Sequence, residues 1–458
     1  MRYITRPKGA RGTGARTWLG AGTVLVIVGS VAVAADHGRS RATITRSQFE
    51  AHALFVKIWE PKQAGIASGD GLGPLYNETS CVGCHHLGGT GGAGANDRNV
   101  VILTAIPSSG TVARGPALFM GELEDLHPGL RNHASVVVHG HTTAPGLEPR
   151  LFTMRSSNAV QTRDDVFLLR RSERNTPALF GTGIIDAIAD SVLLEAEKRR
   201  FAGFPEIKGK VSRLVDGRLG RFGWKGQTAR LNEFVLNACA NELGLEVPGH
   251  HQGSLASARE FDPQKLNLDL DQAQCDLLLS FVASLPPPLF GGTNDLPLTS
   301  WGYAAFEKIG CAACHTPTLG QARGIYSDLL LHDLGNRMRD SGGYGMPSRI
   351  VDHGGNNHQS PSAGETNAND WRTPPLWGVA DSAPYLHDGR AASLDEAIRL
   401  HGGEAALSTD RYTKLGSDDR QALLAFLQAQ TVGQRPHAHA QRKAKRSNGR
   451  APEGASRL

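Results

Sequence analysis

The chain has 458 residues, 40% of them hydrophobic and 6% aromatic, with a mean hydropathy of −0.29. That composition fits a globular protein with apolar residues enough for sizeable cores, and the length predicts two domains. The formal charge of +5 sits at the ends. Five cations precede residue 34, and seven Lys/Arg against one Glu follow residue 433, so the body carries about −6 and a nucleic-acid-binding core is excluded.

The N-terminus predicts an export signal over residues 1–34. A basic stretch (Arg2, Arg6, Lys8, Arg11, Arg16) precedes an apolar run from Trp18 to Ala34, which ends in the small-residue cleavage pattern Ala32-Val33-Ala34. A retained anchor is the alternative, since the run approaches the length of a spanning helix. The first helix is expected over Ser47–Phe55, where apolar residues recur at helical spacing.

Cys81-Val82-Gly83-Cys84-His85 follows, and Cys311-Ala312-Ala313-Cys314-His315 repeats its pattern. Two thiols one helical turn apart can each form a thioether to one of the two vinyl groups of a haem, and the next residue turns its imidazole to the iron. The motifs therefore predict two haem c groups bound through Cys81, Cys84, Cys311 and Cys314, with His85 and His315 as proximal ligands. A zinc site would need its Cys pairs closer in sequence, and a redox dithiol a βαβ setting that the Gly88–Gly92 run does not suggest. Covalent haem attachment outside the cytoplasm agrees with the export signal, so the protein is expected in the periplasm or an equivalent exported location.

Further along, Ser135–Val138 reads as a strand leading to His139, a candidate distal ligand of the first haem. His127, His133, His141, Met120 and Met154 are alternatives, and an open position is another. Cys239 and Cys275 remain after the motifs. In an oxidising compartment they are expected to form a disulfide, with two buried thiols as the alternative. A closing helix over Gln274–Val282 stops at Pro286-Pro287-Pro288, and the segment after the prolines repeats the opening pattern at Trp301–Lys308. A second closing helix is expected at Gln421–Leu427, capped from Ser417.

The predicted organisation is mostly α: two cytochrome c-like helical domains with long loop-rich insertions. The first spans 45–285, a linker 286–298, the second 299–432, and a disordered basic tail 433–458. Membrane contact is expected only through an uncleaved signal or that tail.

Trp371-Arg372-Thr373-Pro374-Pro375-Leu376-Trp377-Gly378 and Ala383-Pro384-Tyr385-Leu386-His387-Asp388-Gly389-Arg390 resemble the di-haem oxidoreductase family, whose members are often labelled thiol oxidoreductase-like and are distant relatives of bacterial di-haem cytochrome c peroxidases. Gly71–Ser80, Arg221–Lys225, Asp328–Gly335 and Leu394–Ala405 support the likeness. It implies two facing haem domains and electron passage between haems, with Trp224 as a stepping stone or a core residue. In the peroxidase relatives one haem has a releasable sixth position where peroxide reacts, and a Met or Tyr ligates the other beyond the His-Asp-Gly turn. Here that position falls on His401, the leading distal candidate for the second haem, ahead of Met338, His332 and His387. Arg372 and Arg390 could pair with haem propionates. No catalytic residue is assigned. The residues leave open an oxidoreductase with chemistry at one iron, a cytochrome c peroxidase-like enzyme, and an electron carrier with two six-coordinate haems. Each implies a redox protein partner, and the enzymes a small-molecule substrate.

Overall fold

The computed structural model describes residues 45–61, 69–73, 75–107, 135–138, 140–142, 158–161, 166–252, 267–288, 296–344, 349–351 and 365–431. The predicted signal, the basic tail, His127, His133, His139, Met120 and Met154 lie outside them. The described residues all fall within one compact unit. Among the described residues no helix is long and apolar enough to cross a membrane.

Two helix pairs frame the two Cys motifs. Helix α1 (Arg46–Val56) begins with a capping box, in which the Thr45 hydroxyl accepts from the Gln48 amide and the Gln48 side chain accepts from the Thr45 amide. It packs on α6 (Gln272–Ser284), itself boxed by Asp271 and Gln274, through Phe55 and Phe281 with ring centroids 5.0 Å apart. The chain leaves α6 at Leu285 and runs into the three prolines, which cannot continue the ladder.

The second pair is α7 (Leu296–Ile309) and α10 (Ser417–Gln428). Their apolar faces meet in a core of Ala305, Phe306, Ile309, Leu423, Phe426 and Leu427, closed by the fully buried Tyr412. Close approach needs Gly302, because a Cβ there would lie 1.9 Å from the Ala422 carbonyl oxygen. The cap of α10 departs from expectation. Gly416 is the N-cap and makes no side-chain bond, while Ser417 is already helical. Between the pairs in sequence lie α3 (Thr182–Asp186), α4 (Asp190–Glu197) and α5 (Leu231–Glu242); α8 (Leu394–Leu400) and α9 (Ala406–Thr413) lie within the second half.

The mostly α expectation holds only in part, because the chain also builds a four-stranded antiparallel sheet. Its strands are β1 (Val100–Pro107), β2 (Ser135–Val138), β3 (Asn158–Gln161) and β4 (Val166–Arg174), in the order β2-β1-β4-β3. Ile102 pairs with Val137 on one side and Ser172 on the other, and both Ile102 and Leu103 are fully buried. A two-stranded ladder of β5 (Leu331–Asp333) and β6 (Asp370–Arg372) pairs His332 with Trp371.

The halves also touch through buried polar groups. Arg174 at the end of β4 makes a two-pronged bond to Asp340, with N···O distances of 2.9 and 3.0 Å. The Asn175 amide donates to the His387 carbonyl at 2.7 Å. Such pairs fix geometry, since breaking one would leave a charge buried and uncompensated.

Candidate functional site

Each CxxCH segment forms a single tight turn, the first of them the short helix α2 (Cys81–Cys84), that aims its histidine inward. The Ser80 hydroxyl caps the first by accepting from the Gly83 amide at 3.1 Å, and the His85 amide donates to the Cys81 carbonyl. In the second, Gly310 opens the turn with φ of 100°, and the His315 amide donates to the Cys311 carbonyl. These are the same device built twice.

The two imidazoles are oriented alike. His85 Nδ1 donates to the Gly92 carbonyl at 3.1 Å, and His315 Nδ1 to the Tyr326 carbonyl at 2.9 Å. A carbonyl can only accept, so Nδ1 carries the proton and Nε2 is left with its lone pair, the arrangement a metal-bound imidazole requires. Burial lowers both imidazoles to about 4, so both are neutral near pH 7. The glycine-rich run after the first motif supplies the carbonyl. Gly88, Gly89 and Gly91 all have positive φ, and a Cβ on Gly92 would lie 1.8 Å from the Leu87 oxygen.

The thiols are not those of a redox dithiol. Burial pushes Cys81, Cys84 and Cys311 up to about 12, and raises Cys314, whereas reactive CxxC pairs have lowered values.

Each motif opens into a large apolar cavity. The first is lined by Cys81, Cys84 and His85; the second by Cys311, Cys314 and His315. A cavity walled mainly by hydrophobic side chains and carrying two thiols and an imidazole with a free Nε2 fits a haem joined by thioethers. Phe55 and Phe306, from the opening helix of each pair, lie with ring centroids 6.4 Å from His85 and His315.

The second cavity contains a second imidazole. His401 ends α8, and its Nδ1 donates to the Ala397 carbonyl at 2.7 Å, leaving Nε2 free. Met338 and His387 also line this cavity. The His387 ring stacks on Trp371 at 3.7 Å, and its Nε2 lies 3.5 Å from Asp340 Oδ2. His332, another candidate, has both ring nitrogens engaged by carboxylates, Asp328 at 3.0 Å and Glu404 at 2.7 Å. It has no lone pair to give a metal.

The first cavity differs. Among the described residues His85 is its only histidine. His141 is exposed and stacked on Tyr76, and His86 is turned to the Gly83 carbonyl. Instead the wall carries Glu242 and Tyr344, neither apparent from sequence. The Tyr344 hydroxyl donates to Glu242 Oε1 at 2.6 Å, and Asn77 Nδ2 donates to Oε2 at 2.7 Å. Burial raises the Glu242 carboxyl above its usual range.

Trp224 lines both cavities, with its indole N–H bonded to the Asn175 carbonyl at 2.9 Å. Arg372 is buried in the second cavity wall, and burial lowers its guanidinium to about 10. Arg390 is bonded to Asp388 and exposed. Cys239 and Cys275, the pair expected to form a disulfide, are both buried, one on α5 and one on α6, and Cys275 Sγ faces the Leu270 carbonyl.

The chemistry of these cavities and their imidazoles fits haem binding. Residues 298–430 match the family described as "Di-haem oxidoreductase, putative peroxidase". The relatives the chain matches include the cytochrome-c peroxidase IdrP2 of Denitromonas iodatirespirans, 30% identical over 147 residues, which are 28% of this chain and 38% of that protein. A second cytochrome-c peroxidase IdrP2, from Pseudomonas sp. (strain SCT), is 29% identical over 140 residues, 28% of this chain and 37% of that one. The chain thus spans under two-fifths of the length of these relatives. Among solved structures, hydrazine synthase of Kuenenia stuttgartiensis aligns with a TM-score of 0.31 and 19% identity, covering 56% of this chain and 72% of that one. A MauG-like protein associated with microbial copper homeostasis aligns with a TM-score of 0.28 and 17% identity, covering 54% and 90%.

Proposed function

We propose that the protein is an exported di-haem c-type oxidoreductase. Cys81/Cys84 and Cys311/Cys314 would each hold one haem, with His85 and His315 as proximal ligands and His401 as the distal ligand of the second. Small-molecule chemistry of the peroxidase kind belongs to the first cavity, and electron exchange with a redox protein to the second. The observation that carries this reading is the unlike walls of the two cavities: a second imidazole in one, a buried carboxyl in the other.

Haem, when bound, supplies one-electron chemistry. The chain's own residues supply the proton and the path. Glu242, its carboxyl pushed upward by burial, lines the first cavity and would serve as the acid–base group there, and Tyr344 and Asn77 fix its orientation. Trp224 offers an aromatic ring common to both cavity walls. Arg372, buried and charged, suits a propionate.

The test is to purify the holoprotein, record its spin states and assay peroxide turnover with a reduced dye. One high-spin and one low-spin haem are expected, with turnover falling roughly 10²–10⁴-fold in Glu242→Gln at unchanged haem content. Two low-spin haems without turnover would mean an electron carrier and contradict the assignment.

A further inference from the structure

A cluster that the proposed chemistry does not use lies beside the second motif. His332 is 3% exposed and donates from both ring nitrogens to carboxylates: Nε2 to Asp328 Oδ2 at 3.0 Å and Nδ1 to Glu404 Oε2 at 2.7 Å. Carboxylates only accept, so a ring bonded on both sides is an imidazolium. Cys314 Sγ lies 3.6 Å from its Nδ1. The ring cannot back away, because Gly209 packs against it so closely that a Cβ there would lie 2.5 Å from Cε1.

The two carboxylates are themselves pinned. Asp328 Oδ1 accepts from the Leu330 amide at 3.0 Å, and the Asp328 amide donates to the Cys314 carbonyl at 2.9 Å. Glu404 accepts from the Lys208 amide at 2.8 Å and lies three residues beyond His401. The Arg372 guanidinium is close enough to Asp328 to be stabilised by it. One buried cation thus ties the Cys314 side of the cavity to the loop bearing the distal candidate.

We propose that Asp328, His332 and Glu404 form a fixed charge clamp that sets the reduction potential of the haem held by Cys311 and Cys314. This rests on the reading that a haem is bound there. The imidazolium lies against the Cys314 sulfur, through which a haem would be held, and there it would disfavour the extra positive charge of the ferric state. The two carboxylates favour it. In a site that excludes water, unit charges at this range act with little screening. His332 is a positioning and tuning residue, not an iron ligand.

The experiment is a spectroelectrochemical titration of the wild-type, His332→Gln and Glu404→Gln holoproteins, with haem counted by pyridine haemochrome. His332→Gln should lower the potential of the second haem and Glu404→Gln should raise it. The first haem should not shift, and the low-spin signature and the count of two haems should persist. Shifts of the same sign, or none with both haems retained, would overturn the clamp. A structural role alone would change haem retention without this pair of opposed shifts. Should His332→Gln fail to fold, Glu404→Gln and Asp328→Asn must each still raise the potential, and failure of both to do so overturns the proposal. Wild-type protein with no haem at Cys311 and Cys314 would instead defeat the parent reading, and the clamp with it.

Discussion

His85, His315 and His387 are each lowered by burial to about 4, so all three stay neutral in the folded protein while their unfolded counterparts titrate near 6.5. The unfolded chain then binds more protons between those values. For groups with depressed pKa the stabilisation is present above pH 6.5 and is lost as pH falls toward 4. Coordination of His85 and His315 to iron acts in the same direction, because it too requires the unprotonated ring. Denaturant unfolding at pH 7, 6 and 5 should show falling stability. A flat profile over this range would mean that these imidazoles are charged or exposed in the folded state.

At the same scale, the CxxCH residues were legible in the sequence because thioether chemistry fixes their spacing locally. His401 was legible only through the family likeness, by its distance from the His-Asp-Gly turn. Glu242 and Tyr344 were not. They are 102 residues apart, and nothing in either neighbourhood marks a carboxyl–phenol pair until the fold brings them to one wall. The clamp around His332 was hidden for the same reason: Glu404 reaches it across 72 positions, and sequence alone left His332 among the possible iron ligands.

Among the elements, the framing helices follow from periodicity and caps, and their ends fall within a few residues of expectation at α1 and α6. What periodicity did not convey is how closely α7 and α10 cross. Gly302 sets that distance, and its φ is unremarkable, so its role is contact rather than conformation. Gly302→Ala should cost about 1–3 kcal/mol, because the added methyl must push against the Ala422 carbonyl. Comparing the denaturation midpoints of variant and wild type at unchanged m-value checks this. A neutral result would mean that the crossing is loose.

The sheet was the larger omission. Only β2 was read as a strand, because its Val run is local evidence. Strands β1 and β4 gain their stability from pairing with each other over a separation of about 70 residues, which a window along the chain does not sample. The glycine-rich loop after the first motif is a related case. It was read as evidence against a βαβ setting, whereas its structural task is to return the Gly92 carbonyl to His85.

For the whole molecule, the two halves of the chain meet at a buried polar seam, Arg174–Asp340 and Asn175–His387, with Trp224 beside it. If electrons pass between two haems, this ring is the aromatic group common to both cavity walls. Trp224→Phe should slow inter-haem transfer by about tenfold, equivalent to ~1.4 kcal/mol of barrier, with both haem spectra unchanged. Rapid mixing of the reduced protein with an oxidant of the first haem would follow it. An unchanged rate would show that the indole only packs.

The account depends on covalent haem at both Cys motifs, so the decisive measurement is the mass of the mature protein from its native host, recorded under denaturing conditions. Two haem masses retained on the chain are predicted, falling to one when Cys81 and Cys84 are both replaced by Ala and likewise for Cys311 and Cys314. A mature chain with no added mass, or one that loses all of it on denaturation, would contradict the account.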